Sequence, residues 1–145
     1  MKITNKFTIG IHIITAIEYF KNNNPITSNF LALSTGANPV VVRTIIAKLK
    51  EARLINISQG KTGITLLKPL TDITFLDVFN ALDCLENDGL FHFHESSNLN
   101  CPVGKNIHNV LDEKLLNVQI AMEKEMKKYT IADVYADIVK LIHVN

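Results

Sequence analysis

Between Thr27 and Lys68 the chain holds two helix signals, a tight turn and two β-rich runs in close succession. The first signal runs through Leu31, Ala32 and Leu33, behind Thr27 or Ser28, either of which can cap it. Thr35-Gly36-Ala37 supplies the turn, and Asn38-Pro39 opens the second helix. Asparagine is a favoured N-cap, and proline's missing N–H costs nothing in a first turn. Val42, Ile45, Ile46, Leu49 and Ala52 then recur at helical spacing, so one stripe faces a core. That leaves Val40, Arg43, Thr44 and Lys48 on the outer faces. Leu54-Ile55-Asn56-Ile57 and Ile64-Thr65-Leu66-Leu67 flank Gly60-Lys61-Thr62-Gly63 as a hairpin, which Pro69 closes. This is the order of a winged helix-turn-helix, whose second helix enters the DNA major groove while the hairpin reaches the flanking backbone. Mainly α with a small β-hairpin wing is therefore the expected class: a winged helix-turn-helix domain plus a long dimerisation helix.

Charge divides along the same line. Residues 1–68 carry nine Lys or Arg against Glu18 and Glu51, a balance of +7; residues 69–145 carry six Lys against twelve Asp or Glu, a balance of −6. The basic half coincides with the helix-turn-helix and is a footprint for phosphate. The acidic half suits partner helices or solvent. With 47% hydrophobic residues the chain can build a core, and no apolar run reaches the length of a membrane span. The start Met1-Lys2-Ile3-Thr4-Asn5-Lys6 leads into an apolar stretch, but no small-residue cleavage site follows, and His12 and Glu18 interrupt it. A buried first helix in a cytoplasmic protein is expected rather than a signal peptide.

That first helix covers Asn5–Lys21, with Phe7, Ile11, Ile14 and Ile17 in one stripe and Ile9, Ile13 and Phe20 widening it, which marks burial on most sides. Thr74 with Asp77 forms a capping box using Asp, ahead of Phe75, Val78, Phe79 and Leu82. Residues Glu86–Asn100 are the one long irregular stretch and contain the alternation Phe91-His92-Phe93-His94. A long amphipathic helix follows Cys101-Pro102-Val103-Gly104 and runs to about Lys128. Its stripe is Ile107, Leu111, Leu115, Val118, Met122 and Met126. At 1.5 Å per residue it is about 36 Å long, more than a small winged helix can cover, so a homodimer built on it is expected. Thr130 with Asp133 repeats the capping pattern, and Tyr129 and Val134 are placed for a hydrophobic staple before a final helix, Ile131–Ile142. The division is 1–84 for the DNA-binding domain, with first and last helices packed together, 85–104 for a sensor-type loop, and 105–145 for the dimerisation and C-terminal helices.

The order of these parts resembles the Rrf-two family of winged-helix transcription regulators, which includes the IscR, NsrR and CymR types. The likeness is clearest in Leu31-Ala32, in Ile46-Ala47-Lys48-Leu49-Lys50 followed by Leu54-Ile55, and in Asp72-Ile73-Thr74-Phe75-Leu76-Asp77-Val78. Asn38-Pro39-Val40-Val41-Val42-Arg43 and Cys101-Pro102-Val103-Gly104 are most similar to the YwnA-type branch. The resemblance implies a homodimer crossed by the long helix, reading a palindromic operator in double-stranded DNA, as a repressor. By position, Asn38, Val40 and Arg43 match the family's base-reading face, and Gln59, Lys61 and Thr62 its wing. Thr27, Ser28, Pro39, Thr44 and Lys48 complete the candidate DNA-contacting set. The family's wing often has an Arg and a glycine-rich run; here Gln59-Gly60-Lys61-Thr62-Gly63-Ile64-Thr65 moves the charge to the tip.

The family's cluster-binding members carry three cysteines ahead of the long helix. This chain has Cys101 in the last place, with Gly89 and Glu95 near the others. A cluster held by thiolates needs more soft ligands, so no iron–sulfur cofactor is expected. Cys101 precedes a helix, where the dipole favours thiolate, which makes it a candidate redox sensor; the alternative is a packed, inert thiol. Resolving a sulfenic acid would take Cys84 or another molecule, and Cys84 itself reads as a small core residue. His92, His94, Cys101 and His108 include borderline metal ligands, but their spacing matches no common motif, so no metal is expected. A small-molecule effector at this loop stays open, as does the competing class of a winged-helix protein-interaction module that binds no DNA. No nucleophile–base pair, metal-ligand pair at helical spacing or phosphate loop supports an enzyme.

Overall fold

The computed structural model describes residues 4–23, 25–58, 63–85, 89–91 and 93–144. Six helices and one hairpin follow in chain order: α1 Lys6–Phe20, α2 Ser28–Thr35, α3 Pro39–Glu51, β1 Ile55–Ile57, β2 Ile64–Leu66, α4 Phe75–Ala81, α5 Pro102–Met126 and α6 Ile131–Val144, with a 3-10 turn over Leu70–Asp72 before α4. The mainly helical class with a β-hairpin is what the sequence led us to expect.

The apolar spacing of α1 becomes a continuous buried run from Ile13 to Ile17. Around it close Leu31 of α2, Val42, Ile45 and Leu49 of α3, Ile55 of β1, and Val78 of α4, all fully buried. Gly10 lets α4 approach α1: a Cβ there would lie 2.5 Å from Leu82 Cδ1. Ala52, expected in the α3 stripe, caps the helix and is exposed, because the helix ends one residue earlier.

The hairpin is antiparallel, pairing Ile55 with Leu66, Asn56 with Thr65 and Ile57 with Ile64. Gly63 anchors it at φ +62°, bridging to Ile26 beside α2; a Cβ there would sit 2.4 Å from the Ile26 carbonyl oxygen. Only glycine combines a left-handed backbone with that approach. The hairpin is thereby tied to the segment that starts α2.

Both anticipated capping boxes form. Thr74 Oγ1 accepts from Asp77 N–H while Asp77 Oδ2 accepts from Thr74 N–H, and Thr130 and Asp133 repeat the exchange. The two helix starts are also laced together, Phe75 N–H donating to Tyr129 O and Ile131 N–H to Ile73 O. The Tyr129 ring lies 5.5 Å from that of Phe75. This lacing seats α6 against α1 and fixes where α5 ends. α5 is unlike the rest: none of its 25 residues is buried.

Candidate nucleic-acid interface

The chain bends by 116° between α2 and α3, within the range of helix-turn-helix motifs. The bend is built by local chemistry. Thr27 Oγ1 accepts from Phe30 N–H at 3.1 Å to start α2. Gly36, at φ +68°, ends it by donating its N–H to Ala32 O. Thr35 Oγ1 accepts from Ala37 N–H across the turn, and Asn38 Oδ1 accepts from Val40 N–H at 2.8 Å to start α3 with Pro39 in its first turn.

Burial of Val42, Ile45, Ile46 and Leu49 turns the opposite face of α3 outward. Val40, Arg43 and Thr44 are exposed there, as expected from the spacing. Thr44 Oγ1 donates to Val40 O, so its hydroxyl is partly engaged within the helix. Ala47 and Lys50 share the face. The sequence reading passed over both, though Val40, Arg43, Ala47 and Lys50 recur at the same three-and-four spacing that identified the inner stripe. Lys48 departs from the open face. Its ammonium donates to Asp83 Oδ2 at 3.3 Å, which turns it toward the end of α4.

Arg43 stands at a depression of about 430 Å³ between α2, α3 and the hairpin, with Thr27, Ser28, Ser58 and Gly63 also lining it. A guanidinium, three hydroxyl side chains and the first turn of α2 thus line one depression, a combination suited to a phosphate. The wing candidates Gln59, Lys61 and Thr62 lie outside the described residues.

The expected dimerisation stripe divides in two. Met122 and Met126 pack on the core, whereas Ile107, Leu111 and Leu115 are half-buried and Val118 is 51% exposed. Val103 and Val110 are more exposed still. The irregular loop lies along the same helix: Leu90 is buried and its N–H donates to Gln119 Oε1. His108 pins a second point. One ring nitrogen is 2.7 Å from His94 O and the other 3.1 Å from Asp112 Oδ1, and these acceptors raise its pKa above 6.5, the Asp112 hydrogen bond first.

Cys101 is half-buried just before α5, and hydrogen bonds from the Gly104 and Val103 backbone hold its thiol below the usual range. Cys84 is buried just after α4, and burial pushes it up to about 11, which suits the core role expected of it and makes it a poor nucleophile. Among the described residues, no group of three or more His, Cys, Asp or Glu could hold a metal ion; His92 lies outside them.

A family model described as Rrf2, iron-dependent transcriptional regulator, matches residues 3–137. YwnA of Bacillus subtilis (strain 168), assigned as an HTH-type transcriptional regulator, is 38% identical over 91% of this chain and 96% of its own. A crystal structure of a protein assigned as DNA-binding shares 34% identity with a TM-score of 0.70, over 89% of this chain and 97% of that one. CymR, the global cysteine regulator of B. subtilis, matches at 17% identity and a TM-score of 0.66, over 94% of this chain and 97% of its own, a likeness of fold. The iron in the family's description finds no matching donor set among the described residues. Gly89 has no side-chain ligand and Glu95 offers only a hard, exposed carboxylate, which leaves Cys101 as the one thiol at these three positions.

Proposed function

This chain belongs to the Rrf2 family of transcriptional regulators, and from that premise we propose that it is a homodimeric, sequence-specific DNA-binding repressor. The observation that carries the reading is α3: capped at Asn38, bent 116° from α2, buried along one stripe and open at Val40, Arg43 and Thr44. Pairing through α5 is supported by the absence of any buried residue in that helix and by the exposed valines at 103, 110 and 118. Two such heads, related by a two-fold axis, would read half-sites about 34–36 Å apart on one side of a palindromic operator. A bound dimer would repress by occluding a promoter. Family and relatives are regulators and not enzymes, and no single described helix is long and apolar enough to cross a membrane. Cys101 and the loop around it are the proposed place for a redox or small-effector signal.

Gel-shift titration on the DNA upstream of the chain's own gene tests this, with reductant and oxidant run in parallel. Wild type should bind with an affinity that falls steeply with salt. Arg43→Ala should weaken the specific duplex by about 5–150-fold, the range for losing one bidentate contact. Salt-independent retention, or none at all, would favour the protein-interaction module instead.

A further inference from the structure

Val40 is one of several exposed apolar residues, and its place in the first turn of the proposed reading helix, beside Arg43, sets it apart. A β-branched apolar side chain stands 61% exposed in the first turn of α3, on the face opposite the core stripe. Its backbone N–H is already taken by Asn38 Oδ1, so the residue offers the outside nothing but methyl groups. Such a side chain can donate and accept no hydrogen bond. In the major groove, thymine is the base that presents a methyl group for apolar contact.

We infer that Val40 is a specificity-determining residue that reads a thymine 5-methyl group, next to the base pair addressed by Arg43. The inference rests on the DNA-reading role proposed above and deepens it. Val40 and Arg43 are three residues apart, about 4.5 Å along the helix axis, against about 3.4 Å per base-pair step. They therefore address neighbouring pairs. Arg43 has the bidentate fork that suits guanine O6 and N7. The one Asn at this end, Asn38, has its Oδ1 engaged by Val40 N–H and so lacks the free acceptor of a bidentate adenine contact, and the sole carboxylate of α3, Glu51, lies at the far end from the base-reading turn. Ala47, two turns beyond Val40 on the same face, continues the apolar track without obstructing it.

The test uses the full chain. Duplexes are selected from a random pool, and the selected sequence is resynthesised with each thymine replaced in turn by deoxyuridine, which lacks only the methyl. At one position in each half-site the replacement should weaken wild type about 3–5-fold, the size of one methyl removed from an apolar contact. Val40→Ala should bind the thymine duplex correspondingly less well and be indifferent to that same replacement. A specific duplex on which wild type tolerates deoxyuridine everywhere overturns the inference while leaving the regulator reading intact. So does a Val40→Ala protein that keeps the full methyl preference. Failure to enrich any sequence would remove the underlying reading, and this inference with it.

Discussion

α3 and α5 are both amphipathic helices that begin with a proline, yet they end in opposite circumstances. α3 is 13 residues long, has a side-chain N-cap and sinks four residues into the core. α5 is nearly twice as long, starts behind a thiol and not an oxygen cap, and has no fully buried residue. In α3 the apolar stripe is consumed by folding, so what remains on its surface is free to be selected for recognition. In α5 only the Met122–Met126 end packs on the core, while the loop at Leu90 and His94 lies along the part before it through Gln119 and His108. Val103, Val110 and Val118 stay exposed, and these are the residues that the proposed pairing would cover. Periodicity identifies an apolar face equally well in both, and is silent about what stands opposite that face.

Core truncation separates the two helices most sharply. Leu49→Ala should cost about 2–5 kcal/mol in urea unfolding, as expected for a fully buried leucine. Val118→Ala should change the unfolding of the isolated monomer by less than about 0.5 kcal/mol, yet make dissociation occur at higher protein concentration in sedimentation experiments. Equal losses in the two variants would mean that α5 is packed within its own chain and would end the comparison.

A smaller effect tests the cap that sets α3. Asn38→Ala removes the acceptor for Val40 N–H and should cost about 1 kcal/mol, measurable as a shift in the denaturation midpoint without a change in slope.

The smallest expected effect concerns the loop on α5. Both His108 ring nitrogens face acceptors, Asp112 and the His94 carbonyl, an arrangement fully met only by the imidazolium. His94 lies beside the ring, 5.2 Å away between centroids, and Glu95 adds attraction. Since the folded pKa is raised, the contribution is fully present below the unfolded value near 6.5 and is lost as pH rises through the folded one. An NMR titration should place His108 above 6.5, and His108→Gln should abolish any pH dependence of amide exchange in residues 93–98. A His108 that titrates at or below 6.5 would show the loop is not held this way.

What could be read directly from residue order was whatever depends on near neighbours. Asn38-Pro39, Thr74 with Asp77 and Thr130 with Asp133 act within one helical turn, so their caps were legible, as was the α3 stripe that places Arg43 outside. Contacts between distant segments were a different matter. The diversion of Lys48 to Asp83 joins residues 35 apart in the chain. The Gly63–Ile26 bridge joins the hairpin to α2, and His108 reaches back to the His94 carbonyl. Each depends on how packed elements happen to be oriented, which no local pattern encodes. The split of the α5 stripe has the same origin: its spacing is intrinsic to the helix, but burial is a property of what stands opposite.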